Sequence, residues 1–242
     1  MSLLAIIGGS GFTRMPELRI ERREVVRTPY GEPSAPLTFG HFDGHDVVFL
    51  PRHGAGHRLP PHRINYRANI WALKAIGAHR VVGMAAVGGV TFGPQTICIP
   101  DQIIDYTWGR EHTFFDGEDG NVNHVDVTEP YCSALREALV HAAASAGLEP
   151  VTRGTYGATQ GPRLETAAEV RRLERDGCDI VGMTAMPEAA LATEAGLCYA
   201  TCSVVVNWAA GKSAGPITME EIDRNLAVGM DKARKILKHI ES

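Results

Sequence analysis

Short apolar runs alternate along the chain with longer segments in which apolar residues recur at helical spacing. The short runs predict buried β-strands at residues 3–7, 37–42, 46–50, 80–86, 97–106, 151–158, 180–183 and 197–206. The longer segments predict helices at residues 65–76, 131–146, 165–176, 187–195 and 218–240. Strands that alternate with helices are typical of α/β proteins. We therefore expect a single-domain α/β sandwich over residues 1–242, with a mixed central β-sheet flanked by helices.

Turn and capping residues support several of these boundaries. Asp43-Gly44 lies between two apolar runs and predicts a β-hairpin. Thr218 followed by Glu221 predicts a capping box at the start of the last helix. Pro100 weakens the strand predicted at residues 97–106, because proline has no N–H to donate to a neighbouring strand.

The composition narrows the class of protein. Hydrophobic residues make up 44% and charged residues 21% of the 242, as in an ordinary globular domain. The net charge of −4 argues against a nucleic-acid partner, because nucleic-acid binders are usually basic. The apolar run in MSLLAIIGGSG is too short for a signal peptide or a membrane span. We expect a cytoplasmic protein that binds neither nucleic acid nor a membrane.

Five cysteines lie at positions 98, 132, 178, 198 and 202. Their number is odd, and no two of them form a Cys-x-x-Cys pair. This pattern does not indicate a disulfide framework. We expect buried, reduced thiols.

Polar residues that follow predicted strands are the candidates for chemistry. The Gly-rich loop around Ser10 can direct backbone N–H groups to an anion, or it can be a tight turn. Arg52-His53 follows another strand, and a guanidinium can hold a phosphate through two hydrogen bonds, although many loop arginines are only solvated. His57 and His62 would add metal ligands to His53, but neighbouring Gly and Pro residues exclude a helix there. We expect no metal.

Further candidates lie in the second half of the chain. Met183-Thr184 ends a predicted strand, and its hydroxyl can contact an anion or a sugar, or cap the next helix. Glu165 follows a Gly-Pro turn and can face a pocket, or it can stabilise a helix N-terminus. Asn207 follows a long apolar strand and can contact a ligand or cap a turn.

Several segments spread over most of the chain together resemble one family. They are IGGSG, TPYGEPSAPLTFG, PRHGAGH, INYRANIWALKAIGA, GPRLET, VGMTAMPEAALATEAGLCYA and the strand leading to Asn207. In this order they resemble the trimeric purine nucleoside phosphorylases, and within that family the methylthioadenosine phosphorylase branch. The resemblance implies that a nucleoside and inorganic phosphate react to a free purine and a ribose 1-phosphate, with no metal or organic cofactor.

The resemblance also implies a set of phosphate ligands and a subunit arrangement. The phosphate ligands would be the side chains of Ser10, Arg52, His53 and Thr184 and the backbone N–H of Ala86. One position departs from the family pattern, since Ala85 replaces a polar Thr or Asn. His124 matches a residue that the family contributes to the neighbouring subunit's site, which implies a homotrimer.

The residues matching the purine site indicate a 6-oxopurine. The adenine-specific branch has acidic residues at the positions of Asn207 and Ala209. Asn207 can instead donate to N7 or O6 of a 6-oxopurine. Glu165 lies where the hypoxanthine- and guanine-specific branch has a glutamate, which accepts the N1–H that adenine lacks. We therefore assign Glu165 and Asn207 as the catalytic residues, and a mismatched base would leave buried polar groups unpaired.

The residues matching the sugar site indicate an apolar 5′ group. Met183 would lie against the ribose, and Leu164 would also contact the substrate. Met219 occupies the position where the inosine-cleaving branch has a histidine for the 5′-hydroxyl, although it could also be a core residue. A 6-oxopurine with an apolar 5′-methylthio group is S-methyl-5′-thioinosine, which we expect to be the substrate.

Four alternatives remain open from the sequence. The protein could be an inosine/guanosine phosphorylase or a methylthioadenosine phosphorylase. An NAD-dependent oxidoreductase would explain the first Gly-rich loop, but GxGxxG is missing there. A nucleoside-binding protein without turnover would be consistent with Ala85.

Overall fold

The computed structural model describes residues 3–12, 15–117, 120 and 122–240. The described residues form a sheet of ten strands. The strands are β1 (Leu3–Gly8), β2 (Arg19–Glu24), β3 (Leu37–Phe42), β4 (His45–Pro51), β5 (Ala78–Gly89), β6 (Ile97–Cys98), β7 (Gln102–Asp105), β8 (Thr155–Ala158), β9 (Ile180–Gly182) and β10 (Cys198–Trp208). The helices are α1 (Tyr66–Ala75), α2 (Ser133–Ser145), α3 (Ala167–Arg175), α4 (Ala185–Glu194) and α5 (Met219–Lys238), with a 3₁₀ turn at Pro61–Arg63.

The sheet is mixed, as predicted. Its order is β2-β3-β4-β1-β5-β9-β8-β7, and β10 pairs with both β5 and β6. The central strands β4, β1, β5 and β10 run parallel to one another. The hairpin β3–β4 is antiparallel, as Asp43-Gly44 predicts, and so are β2–β3, β5–β9 and β6–β10. The predicted α/β sandwich with a mixed sheet is thereby confirmed.

Two layers of helices cover the sheet and bury its two faces. Ile6 and Val82 pack in one cluster with residues of α2 and α5. Ile7 and Val81 point to the opposite face and pack with residues of α1 and α4. Successive residues of a strand face opposite sides, so strands buried on both sides are apolar at every position. This explains the continuous apolar runs in the sequence. None of the described helices is long and apolar enough to cross a bilayer.

Three elements differ from the sequence-based expectations. Strand β2 was not predicted, because all of its residues are polar or exposed, and only its pairing with β3 defines it. The strand predicted at residues 97–106 is interrupted at Pro100 and forms two short strands, β6 and β7. The capping box occurs at α3, where Thr166 and Glu169 make both hydrogen bonds. At α5 the Thr218 hydroxyl accepts from the Glu221 N–H at 3.3 Å.

The prediction that all five cysteines are free thiols is wrong. Cys132 and Cys198 form a disulfide, with Cα atoms 5.1 Å apart. The two residues are separated by 66 positions in sequence, and the fold brings the N-cap of α2 to the first residue of β10. Cys98, Cys178 and Cys202 are free and buried, as expected.

Candidate active site

A cavity of about 960 Å³ opens where the central parallel strands end. Gly9 and Arg52 follow β1 and β4, and the cavity also includes residues near the carboxyl ends of β5 and β10. In open α/β sheets, ligands bind at this edge of the sheet. The structure brings together every predicted site residue except His124 along this cavity: Ser10, Arg52, His53, Ala86, Leu164, Glu165, Met183, Thr184, Asn207 and Met219.

Arg52 is held rigidly at one side of the cavity. It is 1% exposed. Its Nε and Nη2 donate to the two carboxylate oxygens of Glu188, each at 2.6 Å. Burial by itself would lower the pKa of Arg52, but the Glu188 carboxylate raises it above the ordinary value. The guanidinium is therefore permanently charged and fixed in one orientation.

The orientation of Arg52 leaves donors for a ligand. Its Nη1 donates to the Met84 carbonyl at 2.7 Å, so three of the five guanidinium N–H groups are engaged. Gly9 makes the close approach possible, since a Cβ there would lie 2.9 Å from Nη1 and 2.4 Å from the Met84 carbonyl oxygen. Two N–H groups thus remain for an anion beside the Gly-rich loop.

His53 is a neutral imidazole in this surrounding. Its Nδ1 lies 2.8 Å from the Leu59 carbonyl oxygen, which can only accept, so Nδ1 carries the ring hydrogen. Burial and the positive charge of Arg52 lower the pKa of His53 to about 4. The ring of His57 packs against it, with centroids 4.3 Å apart, and His57 Nε2 lies 3.5 Å from Ser10 Oγ.

Thr184 and the alanines of β5 complete this part of the cavity. Thr184 is 8% exposed and occupies the N-cap position of α4, but its side chain makes no capping hydrogen bond. Ala85 is buried and packs in an apolar cluster with residues of β8 and β10. Its methyl group offers no hydrogen bond, so an anion here would depend on the neighbouring groups.

Glu165 and Asn207 also line the cavity. The Thr159 hydroxyl lies 2.6 Å from Glu165 Oε1, to which it donates, leaving the second carboxylate oxygen for a ligand. Asn207 is 6% exposed, and its Nδ2 donates to the Trp208 carbonyl at 2.7 Å. The second N–H of this amide and its oxygen are available to a ligand. Ala209 is buried and also lines the cavity, so its position supplies no charge.

The start of α5 forms a largely apolar wall. Met219 is the first residue of α5 and is 66% exposed, so it is not a core residue. Five apolar residues line the same cavity as Met219: Leu59, Pro60, Ile217, Ile222 and Leu226. Asp223 is a polar member of this wall.

His124 lies apart from these residues. It is exposed and does not line the cavity of its own chain. Its contribution to a neighbouring subunit stays a prediction.

Sequence reasoning missed Glu188 and Arg110, which position the site residues. Glu188 is fully buried and accepts from the Tyr199 hydroxyl as well as from Arg52. Its signal was a single carboxylate within the apolar segment PEAALA. Arg110 is 8% exposed and lies in a loop with no regular pattern, so no sequence signal marks it.

Arg110 joins the two loops that carry site residues. Its Nη2 donates to the carbonyls of Thr159 and Gln160 at 3.2 and 2.8 Å, in the loop before Glu165. Its Nη1 donates to the carbonyls of Met183 and Met186 at 2.8 and 2.6 Å, on either side of Thr184. The loop of Glu165 and the loop of Thr184 are therefore fixed relative to each other by one guanidinium.

We expect Arg110→Lys to lower kcat/KM by about 10²-fold, because one ammonium cannot hold both loops and a misplacement of about 1 Å has this effect. The matched control is Arg136→Lys, since Arg136 also donates to two carbonyls, those of Pro100 and Thr152, outside the cavity. Steady-state kinetics and the melting temperature should be measured for both variants. Equal kinetic losses in the two variants would show that Arg110 acts only through general stability.

A second cavity of about 510 Å³ shares Glu165 with the first, and Thr159 lines the second cavity. Arg163 donates to both carboxylate oxygens of Glu169 there, at 2.8 and 2.7 Å, and this contact lowers the pKa of Glu169 to about 2. The charge of Arg163 is thus compensated. Among the described residues, no group of three or more His, Cys, Asp or Glu side chains is arranged to hold a metal ion.

The fold and this cavity define a class of protein. The model of the phosphorylase superfamily matches residues 3–241, and the chain belongs to this superfamily. The predicted resemblance to the nucleoside phosphorylases and the predicted enzyme class, a pentosyltransferase, are thereby confirmed.

Particular relatives narrow the class further. The chain is 52% identical to the probable S-methyl-5′-thioinosine phosphorylase of Pseudomonas syringae pv. tomato. The match covers 100% of this chain and 99% of that one. It is 49% identical to the 6-oxopurine nucleoside phosphorylase of Pyrococcus furiosus, over 92% of this chain and 85% of that one. The structure of methylthioadenosine phosphorylase from Schistosoma mansoni in complex with adenine superposes with a TM-score of 0.93. That match has 33% identity and covers 99% of this chain and 91% of the other.

Proposed function

We propose that the protein catalyses the phosphorolysis of S-methyl-5′-thioinosine to hypoxanthine and 5-methylthioribose 1-phosphate. The observation that carries this proposal is that Glu165 and Asn207 line the same cavity as Arg52 and Met219. Relatives about 50% identical to this chain are named for this reaction or for 6-oxopurine nucleosides, which supports the proposal.

The phosphate is proposed to bind where β1, β4 and β5 end. Two free N–H groups of Arg52 would hold two of its oxygens, and charge-assisted bonds of this kind are strong. Ser10, His53 and Thr184 would contact the remaining oxygens, together with the backbone N–H of Ala86. The Gly-rich loop and the small side chain of Ala85 would allow the phosphate to approach the backbone closely.

The purine is proposed to be selected by Glu165 and Asn207. The Thr159 hydroxyl occupies one oxygen of Glu165, so the other oxygen is free to accept N1–H of a 6-oxopurine. Adenine has a lone pair at N1 and would face this carboxylate with repulsion. Asn207 has one amide N–H left to donate to N7 or O6 of the base.

The reaction is proposed to pass through a ribosyl cation. The C1′–N9 bond stretches, phosphate stabilises the positive charge from the opposite face, and one of its oxygens then attacks C1′ with inversion. The leaving purine gains negative charge, which Asn207 stabilises by its hydrogen bond. Such preorganised donors contribute about 10²–10³-fold each. Phosphate is the nucleophile, so no side chain forms a covalent intermediate.

The 5′-methylthio group is proposed to lie against the start of α5. The side chain of Met219 and the apolar residues of this cavity offer no donor to a 5′-hydroxyl, but they would make a favourable contact with a thioether. Met183 would contact the ribose and Leu164 the nucleoside. These contacts favour methylthioinosine over inosine.

We further propose that the enzyme is a cytoplasmic homotrimer without metal or organic cofactor, in which His124 completes the neighbouring subunit's site. The exposure of His124 and its position outside the cavity of its own chain are consistent with this role.

The test is phosphate-dependent release of free base from methylthioinosine, methylthioadenosine and inosine at equal concentration. We expect hypoxanthine to be released fastest from methylthioinosine, with little adenine from methylthioadenosine. Equal rates for inosine and methylthioinosine would contradict the role of Met219. Adenine release at a comparable rate would contradict the roles of Glu165 and Asn207.

A further inference from the structure

The imidazole of His53 presents a hydrogen-bond acceptor, Nε2, in the proposed phosphate site. His53 is 5% exposed and lines the cavity. Its Nδ1–H donates to the Leu59 carbonyl oxygen, with Nδ1 and the oxygen 2.8 Å apart. Among the described residues, the ring makes this one hydrogen bond, and Nε2, as the second nitrogen of a neutral ring, carries a lone pair.

The surroundings keep this imidazole neutral. Burial and the adjacent Arg52 lower its pKa to about 4. The carboxylate of Glu188 is already paired with the Arg52 guanidinium. The titratable and charged groups of the loop and the cavity around His53 are Arg52, His57, Arg58, Glu165 and Asp223.

Resting on the proposed function, we infer that His53 selects the monohydrogen form of phosphate by accepting a hydrogen bond from its P–OH group at Nε2. The three remaining oxygens of HPO₄²⁻ are then free for the donors of Arg52, Ser10 and Thr184 and for attack on C1′. The proton belongs to the ligand, whether it rests nearer the phosphate oxygen or nearer Nε2. The same count of protons holds in both arrangements.

A dianion without a proton cannot satisfy Nε2. Sulfate and monofluorophosphate resemble HPO₄²⁻ in size and charge, but they would direct an oxygen or fluorine lone pair at the lone pair of His53. For these anions to bind well, a proton from solvent must enter between the anion and Nε2. Their affinity then falls as pH rises. By linkage the fall is about tenfold per pH unit while His53 is neutral in the free enzyme.

The experiment measures proton uptake by calorimetry of the intact enzyme in buffers of different ionisation enthalpy. Sulfate, monofluorophosphate and inorganic phosphate are titrated at about pH 8, where the monohydrogen dianion predominates. We expect about one proton taken up per site with sulfate or monofluorophosphate and none with phosphate. Sulfate that binds as tightly as phosphate without proton uptake would overturn the inference.

Variants locate the proton. In His53→Gln the amide nitrogen can donate, so we expect sulfate to bind without proton uptake and with little pH dependence. His239→Gln is the matched control, since exposed His239 also directs Nδ1 at a carbonyl, that of Lys235 at 2.9 Å.

Proton uptake that persists in His53→Gln would place the proton on another group and overturn the inference. If His53→Gln does not fold, the wild-type titrations still decide. Base release that needs no phosphate would instead overturn the proposed function.

Discussion

Replacing Glu165 by glutamine is expected to reduce the preference for methylthioinosine over methylthioadenosine by about 10²-fold or more. The glutamine oxygen can still accept N1–H of hypoxanthine, while its amide nitrogen can donate to N1 of adenine. The carboxylate can do only the former. The loss of preference should therefore come mainly from a gain with methylthioadenosine. Adding Asn207→Asp should strengthen this gain, because a carboxylate can accept from the 6-amino group.

The measurement is kcat/KM for both nucleosides at saturating phosphate. Glu137→Gln is the matched control, since Glu137 is exposed on α2 and does not line the cavity. The KM for phosphate should stay within about threefold in Glu165→Gln, because the change lies at the base. An unchanged ratio of the two nucleosides would show that Glu165 does not read the purine.

Replacing Glu188 by glutamine is expected to destabilise the protein by about 3–5 kcal/mol, because the buried Arg52 would lose its counter-charge. The two side chains are each 1% exposed and are joined by two hydrogen bonds of 2.6 Å. The KM for phosphate should rise as well, since the guanidinium would no longer be held in one orientation. Urea unfolding and phosphate-dependent kinetics measure the two effects.

The double variant Arg52→Met/Glu188→Gln separates stability from function. It buries no charge, so we expect it to recover at least half of the lost stability while phosphate-dependent activity stays absent. Recovery of activity along with stability would mean that Arg52 does not bind phosphate. A double variant as unstable as Glu188→Gln would mean that the unpaired charge is not the source of the loss.

Local patterns predicted most of the sheet and helices. Apolar runs identify β1, β5 and β10 because these strands are buried on both faces. The pattern failed at β2, whose exposed polar residues follow no apolar period and whose strand conformation comes from pairing with β3. It failed again at the disulfide, since no spacing rule relates Cys132 to Cys198.

The sequence by itself determined the class of the site. Arg52-His53 and Asn207 directly follow or end an apolar strand, and the parallel strands β4 and β10 bring these ends to one edge of the sheet. Each of these residues was therefore predictable as a neighbour of the others. The resemblance of the segments to one family added the assignment of phosphate and purine contacts.

Only the tertiary structure decided which groups hold these residues in place. Glu188 pairs with Arg52 across 136 positions, and Arg110 reaches the loops of residues 159–160 and 183–186 from 49 to 76 positions away. The tautomer of His53 likewise depends on the carbonyl of Leu59. Such contacts join side chains to a distant carboxylate or to backbone carbonyls that any residue type offers, so they leave no pattern in the sequence. They arise when the folded chain excludes water and every buried charge and polar group must find a partner.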